Sequence, residues 1–357
     1  MPISGRRRAI SDNSAESATL TEAPDPKELL NVLARSFALT LRLLPPAMGD
    51  HFARAYLFAR AADTVADTDA VDPAARSRVL ETLADTATRL ARGEPVTLEP
   101  APLGPDGGPQ ERTLLERLPD VARWVSEMEV PARKRAGEVA VTLIGAMRED
   151  LERFAKAGER VVALPDEAAL EAYLYGNAGC VGGYWAKELA ATSHRITGLD
   201  LQNMEQSGIR LGKALQRVNV LRDLAKDVRQ GRCYLPESSL SAHGLEPRDL
   251  FFPDAHGPLR PILDAQIAAA HADLEAGLEF FHHLPHRWLR RRAAAALPAV
   301  LAKRTLDRIE AQPERLLDAQ DTIKVPRGEV YRILVRLLLL PPSDRGLARM
   351  VRGRNRR

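Results

Sequence analysis

The residues best suited to chemistry are two pairs of aspartates at helical spacing. In Tyr56-Leu-Phe-Ala-Arg-Ala-Ala-Asp-Thr-Val-Ala-Asp67, Asp63 and Asp67 stand one helical turn apart. At about 100° per residue, Tyr56, Arg60, Asp63 and Asp67 fall within an arc of roughly 60°, with Leu57, Phe58, Ala61, Ala62 and Val65 on the other side. In Gln216-Arg-Val-Asn-Val-Leu-Arg-Asp-Leu-Ala-Lys-Asp227, the polar residues Gln216, Asn219, Asp223 and Asp227 share an arc of about 80°. Leu211, Ala214, Leu215, Val218, Leu221 and Ala225 form an apolar back. Like charges one turn apart destabilise an isolated helix by about 0.2–0.5 kcal/mol, and a cation would offset that. Oxygen donors suit Mg²⁺, while Arg60, Arg222, Arg229 and Arg232 beside them suit phosphate oxygens. One such acidic pair is ordinarily a solvated helix face. Two, each flanked by arginine, point to metal-assisted handling of a diphosphate.

Placing two such faces against each other requires long helices, and helical period dominates the chain. Leu29, Leu30, Leu33, Phe37, Leu41 and Leu44 step by three and four until Pro45 and Pro46 stop the run. The same period predicts helices over 52–67, 75–92, 111–125, 132–155, 167–191, 203–229, 258–284, 289–311 and 327–340. Pro298 predicts a kink or a break in the 289–311 helix. Pro- and Gly-rich segments mark a loop at 93–110 and a mostly irregular connection at 229–257. Alternating strand patterns are scarce and aromatics are only 5%, so the fold class expected is all-α in a single domain. Residues 1–26 read as a disordered leader, 27–342 as the helical domain and 343–357 as a basic C-terminal tail.

Composition narrows the function. A chain of 357 residues, 45% apolar and 28% charged, is neither disordered nor fibrous. Two cysteines, Cys180 and Cys233, exclude a disulfide framework and suit a reducing cytosol. A net charge of +3 gives no general call for nucleic acid, and the basic ends lack interleaved aromatics for base stacking. The stretch Ile333–Leu340 is too short to span a bilayer, which needs roughly 20 apolar residues, yet with the arginines from Arg345 to Arg357 it suits a peripheral lipid contact. His282, His283 and His286 lack further ligands for a zinc site. No glycine-rich dinucleotide fingerprint or P-loop occurs.

Five strings make a resemblance specific: ARSFALTLRLLPP (34–46), YLFARAADTVADTD (56–69), YLYGNAGCVGGYW (173–185), GKALQRVNVLRDLAKDVRQGRCYLP (212–236) and, more weakly, TIKVPRGEVYRIL (322–334). In this order the chain resembles the squalene/phytoene synthases, the head-to-head branch of the trans-isoprenyl diphosphate synthases, and bacterial squalene synthases most. The resemblance implies a class I isoprenoid synthase fold, helices around a central cavity. It implies Asp63, Asp67, Asp223 and Asp227 as Mg²⁺ ligands, and Arg35, Ser36, Arg60, Arg222, Arg232, Gln216 and Asn219 as the diphosphate-binding set. Tyr173, Tyr56 and Arg60 fall at its catalytic positions, Tyr173 as an aid to proton removal. One departure is Ala66, where many squalene synthases carry glutamate; Asp69 stands ready to compensate. Gly176, Gly179, Gly182 and Gly183 each cost a helix about 1 kcal/mol relative to alanine, and serve either close helix packing or room for a prenyl chain against a bent helix.

The function the resemblance implies is Mg²⁺-dependent condensation of two farnesyl diphosphates to presqualene diphosphate, then NADPH-dependent reduction to squalene. Its alternatives are phytoene synthesis from two geranylgeranyl diphosphates, a reaction stopping at presqualene diphosphate or hydroxysqualene, and a non-catalytic helical scaffold. The expected location is cytoplasmic, with peripheral contact at the inner membrane face; the oligomeric state is left open.

Overall fold

Pro46, with a fixed φ and no N–H to leave unpaired, opens the first long helix rather than only ending the run before it. That helix, α1, runs Pro46–Asp67 in the computed structural model, which describes residues 29–30, 33, 40–68, 73–101, 108–155, 160–192, 196–318, 320, 323–339 and 343–352. Arg35, Ser36 and Asp69, with the leader 1–26 and residues 353–357, lie outside the described residues. The chain continues as α2 Pro73–Ala91, α3 Pro109–Glu116, α4 Leu118–Ser126 and α5 Val130–Ala155. Then come β1 Val162–Leu164, α6 Glu167–Leu174, a π turn Tyr175–Gly179, α7 Cys180–Ala191 and α8 Gly198–Arg229. After β2 Arg232–Pro236 follow α9 Glu237–Ala242, α10 His256–Gly277, α11 Glu279–His282, α12 Leu289–Ala311, α13 Arg327–Leu339 and α14 Asp344–Arg352. The all-α, single-domain architecture is thus as expected from periodicity.

The longest helix, α8, is the central post, packed on α7, α10 and α12. Its back buries Leu211, Ala214, Val218, Leu221 and Ala225, as the pattern requires. The backbones of α7 and α8 nearly touch: a Cβ on Gly182 would lie 1.8 Å from the Gly208 carbonyl oxygen, and one on Gly212 would lie 2.2 Å from that of Ala178. No side chain fits at that crossing. Behind it, Arg217 is only 2% exposed and is held by Glu171 and Gln266 at contact distance and by Asp273 at 3.7 Å. Breaking such a buried network by removing one partner costs about 3–5 kcal/mol, so it bolts α6, α8 and α10 together.

Three local expectations change. The 167–191 run is not one helix: its i→i+4 ladder widens to a π turn at Tyr175–Gly179. The connection at 229–257 is not irregular throughout, because Arg232–Pro236 forms a strand parallel to Val162–Leu164, with Val162 opposite Arg232 and Ala163 opposite Cys233. Gly231 makes the turn into it with φ of 80°, and its carbonyl accepts from the Val162 N–H at 2.9 Å. Pro298 lies inside α12, which runs unbroken from Leu289 to Ala311, so of the two outcomes expected of it a break does not occur. Residues 343–352 are not a free tail: Leu347 and Val351 of α14 are buried, and Arg352 Nε donates to Glu275 at 2.8 Å. Asp344, at the start of α14, is held by the buried Arg292, which also donates to the carbonyls of Phe281 and Leu284.

Candidate active site

Two chambers meet between α1 and α8. The inner one, about 530 Å³, is walled by Phe52, Tyr56, Leu143, Val181, Leu211 and Phe280 among others, with Ala294, Ala295 and Pro298 of α12. The outer one, about 760 Å³, is lined by Asp63, Asp67, Asp223 and Asp227 together with Arg76, Lys226 and Arg232. Asp63, Met147, Asn177, Gln216 and Asn219 border both, so a polar mouth opens directly onto an apolar interior. An amphiphile with an anionic head and a hydrocarbon tail matches that profile.

The helices deliver the acids as their spacing predicted. Arg60 pairs with Asp63 on α1, and Arg222 Nε donates to Asp223 at 2.9 Å on α8. Arg232 Nη1 reaches across from β2 to Asp67 at 3.7 Å. Arg222 therefore engages its neighbouring carboxylate and is not among the residues lining either chamber. Burial, then the charge of Asp67, raises the Asp63 pKa against the pull of Arg60. Burial and the Asp223 charge push Asp227 up to about 7. The surrounding Tyr234, Asp150 and Asp67 outweigh the burial of Arg232 and raise its pKa.

Among the described residues, no three acidic, histidine or cysteine side chains converge as a ready-made metal site. The oxygen-only donor set of Asp63, Asp67, Asp223, Asp227, Asn219 and Gln216 nevertheless fits Mg²⁺, and a cation between the motifs would relieve the repulsion that raises Asp227. Among the described residues the sheet has two short strands, and no glycine-rich turn joins a strand to a helix in the dinucleotide-binding manner, so the described fold holds no Rossmann-type site.

Tyr56 lines the apolar chamber and Tyr173 the polar one. Gln216 Nε2 donates to Tyr173 Oη at 3.2 Å, and burial drives the Tyr173 pKa well above the usual phenol range. Tyr56 is raised for the same reason. Five further polar residues line the outer chamber without having been singled out: Arg76, Asp150, Asn177, Gln230 and Tyr234. Tyr234 stacks on Tyr173 at 4.3 Å, and Tyr234 Oη donates to Asp150 Oδ2 at 2.9 Å. Of the four glycines in 173–185, only Gly182 lines the apolar chamber, and it also makes the α7–α8 crossing. Cys180 and Cys233 are buried free thiols pushed up to about 12 by desolvation, and His282 pairs with Glu279.

Known proteins resemble this chain in sequence and fold. A model of the squalene/phytoene synthase family matches residues 31–329. A presqualene diphosphate synthase from Zymomonas mobilis is 28% identical over 270 residues, covering 75% of this chain and 79% of that one. A phytoene synthase from Thermus thermophilus is 34% identical over 148 residues, 42% of this chain and 47% of its own. The solved complex of TcSQS with the ligand BPH1237 superposes with a TM-score of 0.73 at 20% identity, covering 91% of this chain and 88% of the other. With the family matched across both acidic helices and the strand that follows them, the chain belongs to the squalene/phytoene synthase family.

Proposed function

We propose that this enzyme condenses two molecules of farnesyl diphosphate head to head to presqualene diphosphate. The observation that carries the reading is the union of an apolar chamber with an acidic and basic mouth across Asp63, Asn177, Gln216 and Asn219. Asp63, Asp67, Asp223 and Asp227 would hold Mg²⁺, which when bound neutralises the diphosphate and eases its departure. Arg232, Arg76 and Lys226 would meet phosphate oxygens as guanidinium and ammonium donors. Arg35 and Ser36 belong to the same proposed set by resemblance. Leu143, Val181, Leu211 and Phe280 would shield the allylic cation from water.

Reduction of presqualene diphosphate to squalene with NADPH is the second stage of the proposal, and no residue is assigned to it. The deciding experiment supplies the purified protein with farnesyl or geranylgeranyl diphosphate, with and without Mg²⁺ and NADPH, and identifies the products. Presqualene diphosphate from the farnesyl substrate, abolished by EDTA and restored by Mg²⁺, is expected. Phytoene from the longer substrate alone would replace this reading with its rival.

We further propose reversible contact with anionic bilayers. No described helix is long and apolar enough to cross a membrane. The outward side of α13, however, carries Tyr331, Val335, Leu338 and Leu339, with Tyr331 60% and Leu339 74% exposed. Arg332 and Arg336 of the same helix are exposed, and Arg336 shares a groove with the exposed Arg345 and Arg349 of α14. An apolar stripe edged by arginine suits the headgroup boundary, each basic residue adding about 1 kcal/mol at an anionic surface.

A further inference from the structure

Away from both chambers, α11, α12, α13 and α14 enclose a groove of about 1120 Å³ that shares no lining residue with either of them. Its walls are basic. Arg304 reaches it from α12, Arg336 from α13, and Arg345, Arg349 and Arg352 from α14, with His282 of α11 beside them. At about 100° per residue the three arginines of α14 share an arc of roughly 60°, so like charges are gathered on one face. The acids nearby do not neutralise them. Asp344, the acidic residue lining the groove, is held by the buried Arg292. Glu275 is taken by Arg352 at 2.8 and 2.9 Å. Arg304 stands 3.8 and 3.9 Å from Asp307 and Glu329, which Lys303 and Arg308 engage more closely. Arg336, Arg345 and Arg349 are exposed and make no ion pair with a carboxylate among the described residues.

The frame that carries these charges is anchored at both ends. Leu347 and Val351 sink α14 into the core. Arg292, 1% exposed, holds Asp344 at the start of α14 and donates to the carbonyls of Phe281 and Leu284 at 2.7 and 2.8 Å, which ties α14 to the end of α11. The Arg352–Glu275 pair ties the other end of α14 to α10. The arginines therefore converge from a fixed scaffold, and a ligand that meets them has little backbone to order.

We propose that this groove binds the headgroup of an anionic lipid carrying more than one phosphate, an inference that rests on the bilayer contact proposed above and gives that contact a specific ligand. All five permanent cations lining the groove are arginines and none is a lysine. The planar guanidinium fork is the group that meets phosphate oxygens two at a time. Three arginines without carboxylate partners exceed the single negative charge of a simple phosphodiester, so a headgroup with two phosphates matches them better. The source of the phosphate follows from α13. That helix gives Arg336 to the groove and also exposes Tyr331, Val335, Leu338 and Leu339. A free phosphate would engage the groove alone. A lipid engages both, its phosphates among the arginines and its acyl chains along the apolar row.

The test uses the full chain in Mg²⁺-free buffer with two sets of phosphatidylcholine vesicles. One set carries cardiolipin, a lipid with two phosphates, and the other carries phosphatidylglycerol to the same surface charge. Wild type is expected to bind the cardiolipin vesicles about 10-fold more tightly. Arg345→Gln with Arg349→Gln should abolish that preference at an unchanged melting temperature, since both side chains are exposed. Arg327→Gln with Arg332→Gln removes the same charge from exposed positions of α13 outside the groove; it should weaken binding to both vesicles alike and keep the preference. Equal binding of wild type to the two vesicles overturns the groove site and leaves the general contact standing, as does a control variant that loses the preference as fully as the groove variant. Binding to neither vesicle overturns the contact itself, and the site with it. Inorganic diphosphate is the soluble source of the same chemistry. If it binds wild type as tightly as the cardiolipin vesicles do, and the groove variant loses that binding, the lipid assignment falls. Should the groove double variant fail to fold, Arg336→Gln on the opposite wall makes the same comparison.

Discussion

Each motif aspartate sits at a chamber wall and not in the packed core, so its charge can be removed without removing a packing contact. Asp63→Asn and Asp223→Asn are therefore expected to lower turnover by about 100-fold or more while leaving the helical circular dichroism unchanged; full activity in either would take that residue out of the site. Two acids of the outer chamber, one of them outside the motifs, make the metal-free protein sensitive to pH. Asp227 near 7 and Asp150 near 6 hold their protons more tightly folded than at the ordinary 3.8. The folded state thus binds more protons than the unfolded one across that window, and stability falls as pH rises from about 4 to about 7. The paired Glu171 and Glu188, whose pKa values are lowered, act oppositely and only below about 4.5. Melting temperatures of the apoprotein should decline between about pH 5 and pH 7.5, and Mg²⁺ should restore them at the higher pH; a flat profile would contradict the buried repulsion. Asp63, Asp67, Asp223 and Asp227 were legible because helical spacing gathers them. Asp150 was not: it lies in the charged run Arg148-Glu149-Asp150-Leu151-Glu152-Arg153, which reads as a solvated face.

Helix lengths and apolar faces follow from period, but the features that shape the site are departures from period. The π turn at Tyr175–Gly179 leaves no trace in hydrophobic spacing, because one widened turn shifts the pattern by only a residue. The β1–β2 pair is equally silent: a three-residue and a five-residue strand are too short to show alternation, yet they carry Arg232 and Tyr234 to the mouth. The glycine run admitted two readings, close packing and room for a tail; Gly182 makes the close crossing and also lines the apolar chamber. Gly182→Val would drive a side chain into the Gly208 carbonyl and is expected to destabilise by about 1–3 kcal/mol or more. Gly183→Ala is the control, since its Cβ meets Glu205 at an ordinary 3.4 Å and alanine favours the helix. Equal melting temperatures for the two variants would mean that α7 and α8 do not cross so closely.

For the whole molecule, the docked α14 changes how lipid contact must be probed. Deleting residues 345–357 would strip Leu347 and Val351 from the core, so surface charges are the better lever. Leu338→Glu with Leu339→Glu, or Arg345→Glu with Arg349→Glu, should weaken co-sedimentation with anionic vesicles by about 10-fold, more at low salt than at high; unaltered binding would remove the α13 face from the contact. A last consequence follows from α12. One side of it, Ala294, Ala295 and Pro298, closes the hydrocarbon chamber, while α13 and α14 pack on the helix as well. The wall between the apolar chamber and the outward side of α13, the face proposed to meet lipid, is thus two helices, α12 and α13, roughly 20 Å in all. On the proposed reduction and lipid contact, a hydrocarbon product would leave through that wall into lipid, and its escape should set the pace of steady cycling. Anionic vesicles are then expected to speed multiple turnovers while the first turnover keeps its rate; identical acceleration of both would point to the chemical step instead.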